Sequence, residues 1–387
     1  MQRARLKPQV ILLGLASLLN DSASEMIYPL LPVFLTATLG ATPAILGMIE
    51  GAADGLASIL KYFAGSWSDR AGRRKQFIVT GYAFAAASRA IIAAAKVWPL
   101  VFVARLLDRT GKGARSAPRD ALIAEVTSPD QRGRAFGFHR AMDHSGAIIG
   151  PLLAMGLLTL GMTTRGVFYM AVIPGALGAV MLAFLLRERV AAKIEAAPNS
   201  TSPVPHSTPF KKAILAISLF SLSNSSDTFL LLQAHAAGVS TTMLPALWAA
   251  HHVIKALFTT AAGSLSDRMD RRYLLILGWT FYAALYFIFP FAESLSMFVV
   301  LFVLYAIPFT LTEGAERAWI ADLVPAEARG KSFGVYYLAN GLCVLAGTAL
   351  FGFLYQTWSP RAAFFTGASL ALAAVLAVLG QRSRVNV

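Results

Sequence analysis

Charges of both signs crowd the stretch Gly65-Ser-Trp-Ser-Asp69-Arg70-Ala-Gly72-Arg73-Arg74-Lys75, which separates two long apolar runs. Such a stretch has no stable place inside a bilayer, where an ionisable group costs at least about 2.5–3.5 kcal/mol. It is therefore expected as a short, tight loop on one face of a membrane, with Gly72 supplying the backbone freedom of the turn. Three successive cations, Arg73, Arg74 and Lys75, assign that face to the cytoplasm. A weaker copy, Gly263-Ser-Leu-Ser-Asp267-Arg268-Met-Asp270-Arg271-Arg272, lies between two apolar runs of the second half. Two such loops at matching places argue for a chain built from two related halves.

Composition supports membrane spans. Of 387 residues 56% are hydrophobic and 14% charged, and mean hydropathy is +0.60. A soluble domain carries about a quarter charged residues. The apolar runs have the length of helical spans, about twenty residues, rather than of ten-residue alternating strands. The net charge of +14 would point to nucleic acid in a soluble chain. Here the cations gather in the expected cytoplasmic loops, so the expected partner is anionic lipid and no nucleic acid. The single cysteine, Cys343, excludes an intramolecular disulfide. Arg3, Arg5 and Lys7 before an apolar run resemble a signal peptide, but that run is long and carries Asp21 and Glu25, so it reads as a retained first span.

The spans are predicted in order. The first covers residues 10–39, with Pro29 and Pro32 bending its outer half. The second ends near 67, the third covers 77–95, and the fourth runs from 100 to 124. The fifth follows the polar stretch 125–134 and ends near 160, and the sixth covers 167–186. Residues 188–211 then break the pattern with Pro198, Pro203, Pro205 and Pro209 among Ser, Thr and Asn, and read as a flexible linker. Six more spans are expected over 213–237, 243–265, 273–292, 297–323, 332–355 and 362–379. The predicted fold class is an all-α polytopic membrane protein, with twelve transmembrane helices in two pseudo-symmetric six-helix bundles, residues 1–187 and 212–387. Opposite-face loops such as 238–242 and 293–296 hold no Lys or Arg. Both termini and the linker are therefore expected in the cytoplasm, with the protein in the cell membrane. Internal repeats agree: Ser17-Leu-Leu-Asn20-Asp-Ser22 matches Ser221-Leu-Ser-Asn224-Ser-Ser226, and Arg132-Gly-Arg-Ala-Phe-Gly137 matches Arg329-Gly-Lys-Ser-Phe-Gly334.

Ionisable residues recur within the predicted spans and fall on faces. Asp21, Glu25 and Tyr28 form one stripe of the first span, and Glu50, Asp54 and Lys61 one stripe of the second. Arg105, Asp108, Arg109 and Lys112 cluster on the fourth; His139, Arg140 and Asp143 on the fifth. The second half offers Asn224 and Asp227, then His251, His252 and Lys255, then Glu313 and Glu316. Two readings stay open. In one, Arg105, Arg109 and Arg140 neutralise Asp21, Asp54, Asp108 and Asp143 and the network fastens helices. In the other, some of these groups meet substrate and protons. Asp21, Glu25 and Asp54 are the candidates for proton coupling, since carboxylates inside carriers serve as relays. Tyr28, Lys61, Arg105, Arg109, Asp143, Asn224, Asp227, His252, Lys255 and Glu313 are the candidates for substrate binding. His235, His251 and His252 lack metal-ligand spacing and are expected to pack or line a cavity, so no metal is assigned.

The pattern Gly65-x-x-x-Asp69-Arg70-x-Gly72-Arg73-Arg74 resembles the signature loop between helices 2 and 3 of the major facilitator superfamily, and the repeat covers nearly the whole chain. The resemblance implies two parallel six-helix repeats, a mid-membrane substrate cavity and alternating access. It also implies a cytoplasmic gate of Gly65, Asp69, Arg70, Gly72, Arg73, Asp267 and Arg268, in which Asp69 contacts the start of helix 11, a place that favours anions. On the fifth span Gly137, Gly146, Gly150 and Pro151 are similar to the helix 5 motif of the proton-antiporter branch, with Ala154 and Met155 replacing its last two glycines. Gly111-Lys112-Gly113-Ala114 is similar to that branch's helix 4 motif, but Leu107 stands where the motif has arginine, which leaves Arg105 or Arg109 for that role. The run from Asp108 to Arg115 lacks the spacing of a phosphate-binding loop, so no nucleotide hydrolysis, enzyme activity or cofactor is expected.

Three functions follow. The first is a secondary transporter, expected to be a monomer, that exports a small organic solute against protons. The second is an uptake carrier or uniporter for an anionic metabolite using Arg105, Arg109, Lys112 and Lys255. The third is a transporter-like sensor. The spacing on the fifth span favours the first.

Overall fold

A computed structural model describes residues 6–71, 73–127, 132–187, 207–266, 269–292, 294–324 and 329–381. Among them there is no strand. Helix α1, Pro8–Ile27, opens on a proline and stops before Pro29, which has no N–H to continue the ladder. One turn at Leu31–Val33 and a π-helical stretch at Phe34–Thr38 follow, ending at Gly40, whose φ is 68°. The single span expected over 10–39 is thus interrupted. α2 covers Pro43–Ala71 and α3 Arg74–Ala94, so the helix continues through most of the expected loop and only 72–73 separate the two. α4 is Trp98–Val126, α5 Arg132–Thr159 and α6 Thr164–Leu185.

In the second half, α7 is broken into α7a, Thr208–Ser223, and α7b, Asp227–Ala236. The break has a local cause: the Ser226 side chain accepts from the Thr228 N–H and so caps a new helix. α8 covers Leu244–Ser266 and α9 Arg271–Ile288, the latter capped by Asp270. α10a, Leu295–Leu304, and α10b, Ala306–Asp322, meet at Tyr305. α11 is Arg329–Thr357 and α12 Pro360–Leu379. Ten candidate spans pass by length and hydropathy among the described residues, α7a with α7b and α10a with α10b each forming one. α4 and α8 bring the number to twelve. They fall short because α4 carries Arg105, Asp108, Arg109, Lys112 and Arg115, and α8 carries His251, His252 and Lys255.

The chain forms two compact units. Unit 1 holds Met1–Gly40, Leu56–Asn199 and Ser240–Ala249; unit 2 holds Ala41–Gly55, Ser200–Val239 and Ala250–Val387. Helices α2 and α8 each contribute one part to either unit. In unit 1, α1 packs on α5 and α6, and α3 on α4 and α6. Leu13, Ile78, Tyr82, Leu122, Ile123 and Leu182 fill its core. In unit 2, α9 packs on α10b and α12, and α7a on α11 and α12. Its core is aromatic: Tyr282 stacks on Tyr286 at 4.2 Å and Phe220 on Trp279 at 4.8 Å, pairs worth about 0.5–1.5 kcal/mol beyond burial.

Candidate transport sites in the two units

The site of unit 1 is built on the stripe of α1. Gly146 and Gly150 of α5 lie directly against it. A Cβ on Gly146 would meet the Leu18 carbonyl at 2.7 Å and the Asp21 Cβ at 3.0 Å, and one on Gly150 would run into the Ser22 carbonyl. Only glycine permits this approach. It brings Asp143 of α5 to Ser17, whose hydroxyl donates to Oδ1 at 2.5 Å. His139 Nδ1 lies 3.5 Å and Arg140 3.9 Å from the other oxygen. One turn along α1, the Asn20 amide N–H donates to Asp21 at 2.9 Å. Its orientation is fixed by Arg89 of α3, 2% exposed, which donates to the Asn20 side-chain oxygen at 2.8 Å and its carbonyl at 3.0 Å. A buried guanidinium thus holds the amide that holds the carboxylate.

Glu25 and Tyr28, further along the stripe, meet Trp248 from the first turns of α8. The indole N–H donates to Glu25 at 2.7 Å, and its ring lies 4.9 Å from that of Tyr28. Arg105 stands 6.0 Å above the Tyr28 ring. Arg109 at 3.2 Å and Arg105 at 3.7 Å converge on buried Asp108. Lys112 is exposed.

The site of unit 2 surrounds the break in α7. Tyr305 donates to Asp227 at 2.8 Å. The Ser225 and Tyr286 hydroxyls are 2.9 Å apart, and Tyr282 donates to the Ser223 carbonyl at 3.0 Å. Asn224 is the residue at which α7a ends. Lys255 reaches over the Phe309 ring at 5.5 Å, and His251 packs between Phe302 and Tyr305, with His252 beside it. Glu50, fully buried, and Asp54 belong to this unit, whereas Lys61 of the same helical stripe belongs to unit 1. Glu313 pairs with Arg317 at 3.1 Å on an exposed face.

The proposed ion pairs are met in part. Arg105 and Arg109 share Asp108 and Arg140 approaches Asp143, while the Asp21 carboxylate receives the Asn20 amide. Of the expected gate, Gly72, Asp267 and Arg268 lie outside the described residues. The side chains at 69 and 70 are also not described, nor are the surroundings of Gly65 and Gly137; Arg73 is exposed. Sequence reasoning missed Ser17, Arg89, Trp248, Tyr282, Tyr286 and Tyr305. Arg89 carried a usable signal, a lone cation in an alanine-rich run.

The sequence model of the Major Facilitator Superfamily matches residues 13–251 and 214–386. An MFS-type transporter of Methanocaldococcus jannaschii is 31% identical over 97% of this chain and 95% of its own. A multidrug resistance protein, MdtH, of Photorhabdus laumondii is 32% identical over 39% of each chain. Among solved structures, a D-xylose–proton symporter superimposes with a TM-score of 0.76 at 14% identity over 96% of both chains. Its identity is low enough that it speaks for the fold alone. The chain belongs to the Major Facilitator Superfamily and is a multi-pass secondary transporter, not an enzyme.

Proposed function

We propose that the protein exports a small organic solute in exchange for protons, working as a monomer in the cell membrane with both termini and the linker 188–211 in the cytoplasm. The observation that carries this reading is the seat of Gly146 and Gly150 on α1, which sets Asp21 and Asp143 on facing helices beside Ser17 and Asn20. Asp21, Glu25 and Asp54 are the carboxylates proposed to take up and release the coupling proton. A carrier of this kind is neutral in one half-cycle and charged in the other. The partial match to a multidrug resistance protein adds support for export. A steady anion site on Arg105 and Arg109 is less favoured, because both cations converge on Asp108 and an incoming anion would compete with a buried carboxylate.

The test uses inside-out vesicles energised by a pH gradient and three probes: an amphipathic cation such as ethidium, a zwitterionic amino acid and a dicarboxylate. Gradient-driven uptake of a probe is expected, with Asp21→Asn, Glu25→Gln and Asp54→Asn each scored for uphill uptake and for exchange. Loss of uphill uptake with retained exchange is the expected signature of the coupling residue. If all three variants keep full accumulation, coupling does not run through them. If only the dicarboxylate moves, and without a gradient, the anion uniporter takes over.

A further inference from the structure

Unit 2 buries one more carboxylate, away from the break in α7. Glu316 on α10b is 8% exposed and precedes by nearly two turns the Asp322 that joins Arg271 at 2.6 Å. Its surroundings come from three helices. The Tyr336 hydroxyl of α11 donates to Oε2 at 3.2 Å. From α9, the fully buried indole N–H of Trp279 is directed at the carboxyl from beyond ordinary hydrogen-bond geometry. On α10b itself, Arg317 pairs with Glu313 on the exposed side. The only charged side chains of α7a, Lys211 and Lys212, are exposed at its first turn. Among the described residues no cation lies within ion-pair distance of Glu316, and the charge of neighbouring Arg317 reaches it only from further off.

Neutral donors return only part of the hydration that burial removes from an anion. The loss of hydration on burial favours the protonated carboxyl, which still offers an oxygen to Tyr336. The matching place in unit 1 carries the opposite charge. The pairs Arg74–Glu125 and Arg271–Asp322, each 51 residues apart, align α4 with α10b. On that alignment Glu316 corresponds to Arg119, Trp279 to Tyr82, Tyr336 to His139 and Asn340 to Asp143. Arg119 pairs with Asp120 at 3.0 Å and has Asp143 nearby, so unit 1 holds at this place a cation with its counter-charges.

We propose that Glu316 is a proton-binding site of unit 2, taking a proton from water onto its carboxylate and returning it to water as α9, α10b and α11 close and open around it. This rests on the reading of the protein as proton-driven and adds a site apart from Asp21, Glu25 and Asp54.

Infrared difference spectra between acid and alkaline pH, recorded on the full-length protein in phosphatidylcholine vesicles, read carboxyl protonation with neither substrate nor gradient. The protonated-carboxyl C=O band is expected to lose a component in Glu316→Gln and to keep it in Glu313→Gln. Tyr336→Phe removes a donor to the anion and should raise the midpoint of that component by about 0.5–1 pH unit. A Glu316→Gln spectrum that superimposes on the wild type, or loss of the component in Glu313→Gln instead, overturns the proposal. Where Glu316→Gln does not fold, Tyr336→Phe decides: an unmoved midpoint sinks it. Since no transport is measured, this result and that of the vesicle test stand or fall separately.

Discussion

Arg89 of α3 and Tyr286 of α9 occupy corresponding positions of the two halves, and each reaches to the repeat on the neighbouring first helix of its half. Arg89 grips Asn20 with two hydrogen bonds, whereas Tyr286 meets Ser225 with one. Around them unit 1 is ionic, with Arg105, Asp108, Arg109 and Arg115 on α4. Unit 2 is phenolic, with Tyr282, Tyr286 and Tyr305 against a broken helix. The same packing frame therefore carries two chemistries. The difference lies in what removal leaves behind. An ionic network leaves stranded charge when one member goes, whereas a phenolic network leaves a single unmet donor or acceptor.

The largest expected effect comes from breaking that comparison at its centre. Arg89→Met should destabilise the purified protein by about 2–6 kcal/mol, since two buried acceptors of Asn20 lose their donor at about 1–3 kcal/mol each, while Asp108 keeps Arg105 and Arg109. Tyr286→Phe should cost only about 0.5–1.5 kcal/mol. Denaturant unfolding of both variants reads the gap, and equal losses would show that the contrast in charge has no energetic weight.

The shared frame makes the opposite kind of prediction. Gly150 and Gly347 also correspond, and a Cβ on either would strike a backbone carbonyl, that of Ser22 or that of Leu222. Gly150→Ala and Gly347→Ala should each cost about 1–3 kcal/mol, the range for overpacking. The two losses should agree in melting experiments despite the difference in surrounding charge. If Gly347→Ala is neutral, the frame is not shared.

The smallest effect concerns the helix starts. α3 follows Arg73, which makes no side-chain cap, while α9 follows Asp270, which accepts from the Arg272 backbone and side chain. The hydrogen bond from Arg272 holds the Asp270 carboxyl below its ordinary range. A carboxyl lowered in the folded state stabilises above its unfolded value, about 3.9 for Asp, and loses that contribution as pH falls through the lowered value. Asp270→Asn keeps the cap and removes the charge. Its melting temperature should lie slightly below wild type at neutral pH and converge with it in acid. A gap that persists at low pH would assign the effect to geometry instead.

Much of this arrangement was legible in the residues. Runs of about twenty apolar residues announce spans through length alone, and the repeated loop announces two halves. The α1 stripe of Asp21, Glu25 and Tyr28 was visible because helical spacing projects side chains onto one face. What stayed hidden depends on partners distant in the chain. Nothing in the pattern around residue 248 shows that an indole will reach Glu25, and tyrosines at 282, 286 and 305 look like ordinary apolar filling until the break in α7 exposes polar backbone beside them. The break itself had a trace, the Ser226-Asp227 pair that opens α7b, outweighed by the apolar run around it. The division of α2 and α8 between units follows contacts that no local period encodes.

That break has a consequence for how the protein is made. α7a has 16 residues and α7b 10, about 24 and 15 Å of helix, each short of the roughly 30 Å hydrocarbon layer. Neither piece is a complete insertion signal, and the backbone between them is costly in lipid until something bonds to it. The group that does so, the hydroxyl of Tyr282 on the Ser223 carbonyl, lies 59 residues further along the chain, and Tyr286, which meets the Ser225 side chain, lies 61. A ribosome finishes α7 well before it delivers α9. The seventh span, long and apolar enough as a whole to cross a membrane, thus completes its polar contacts only when a later helix has been made.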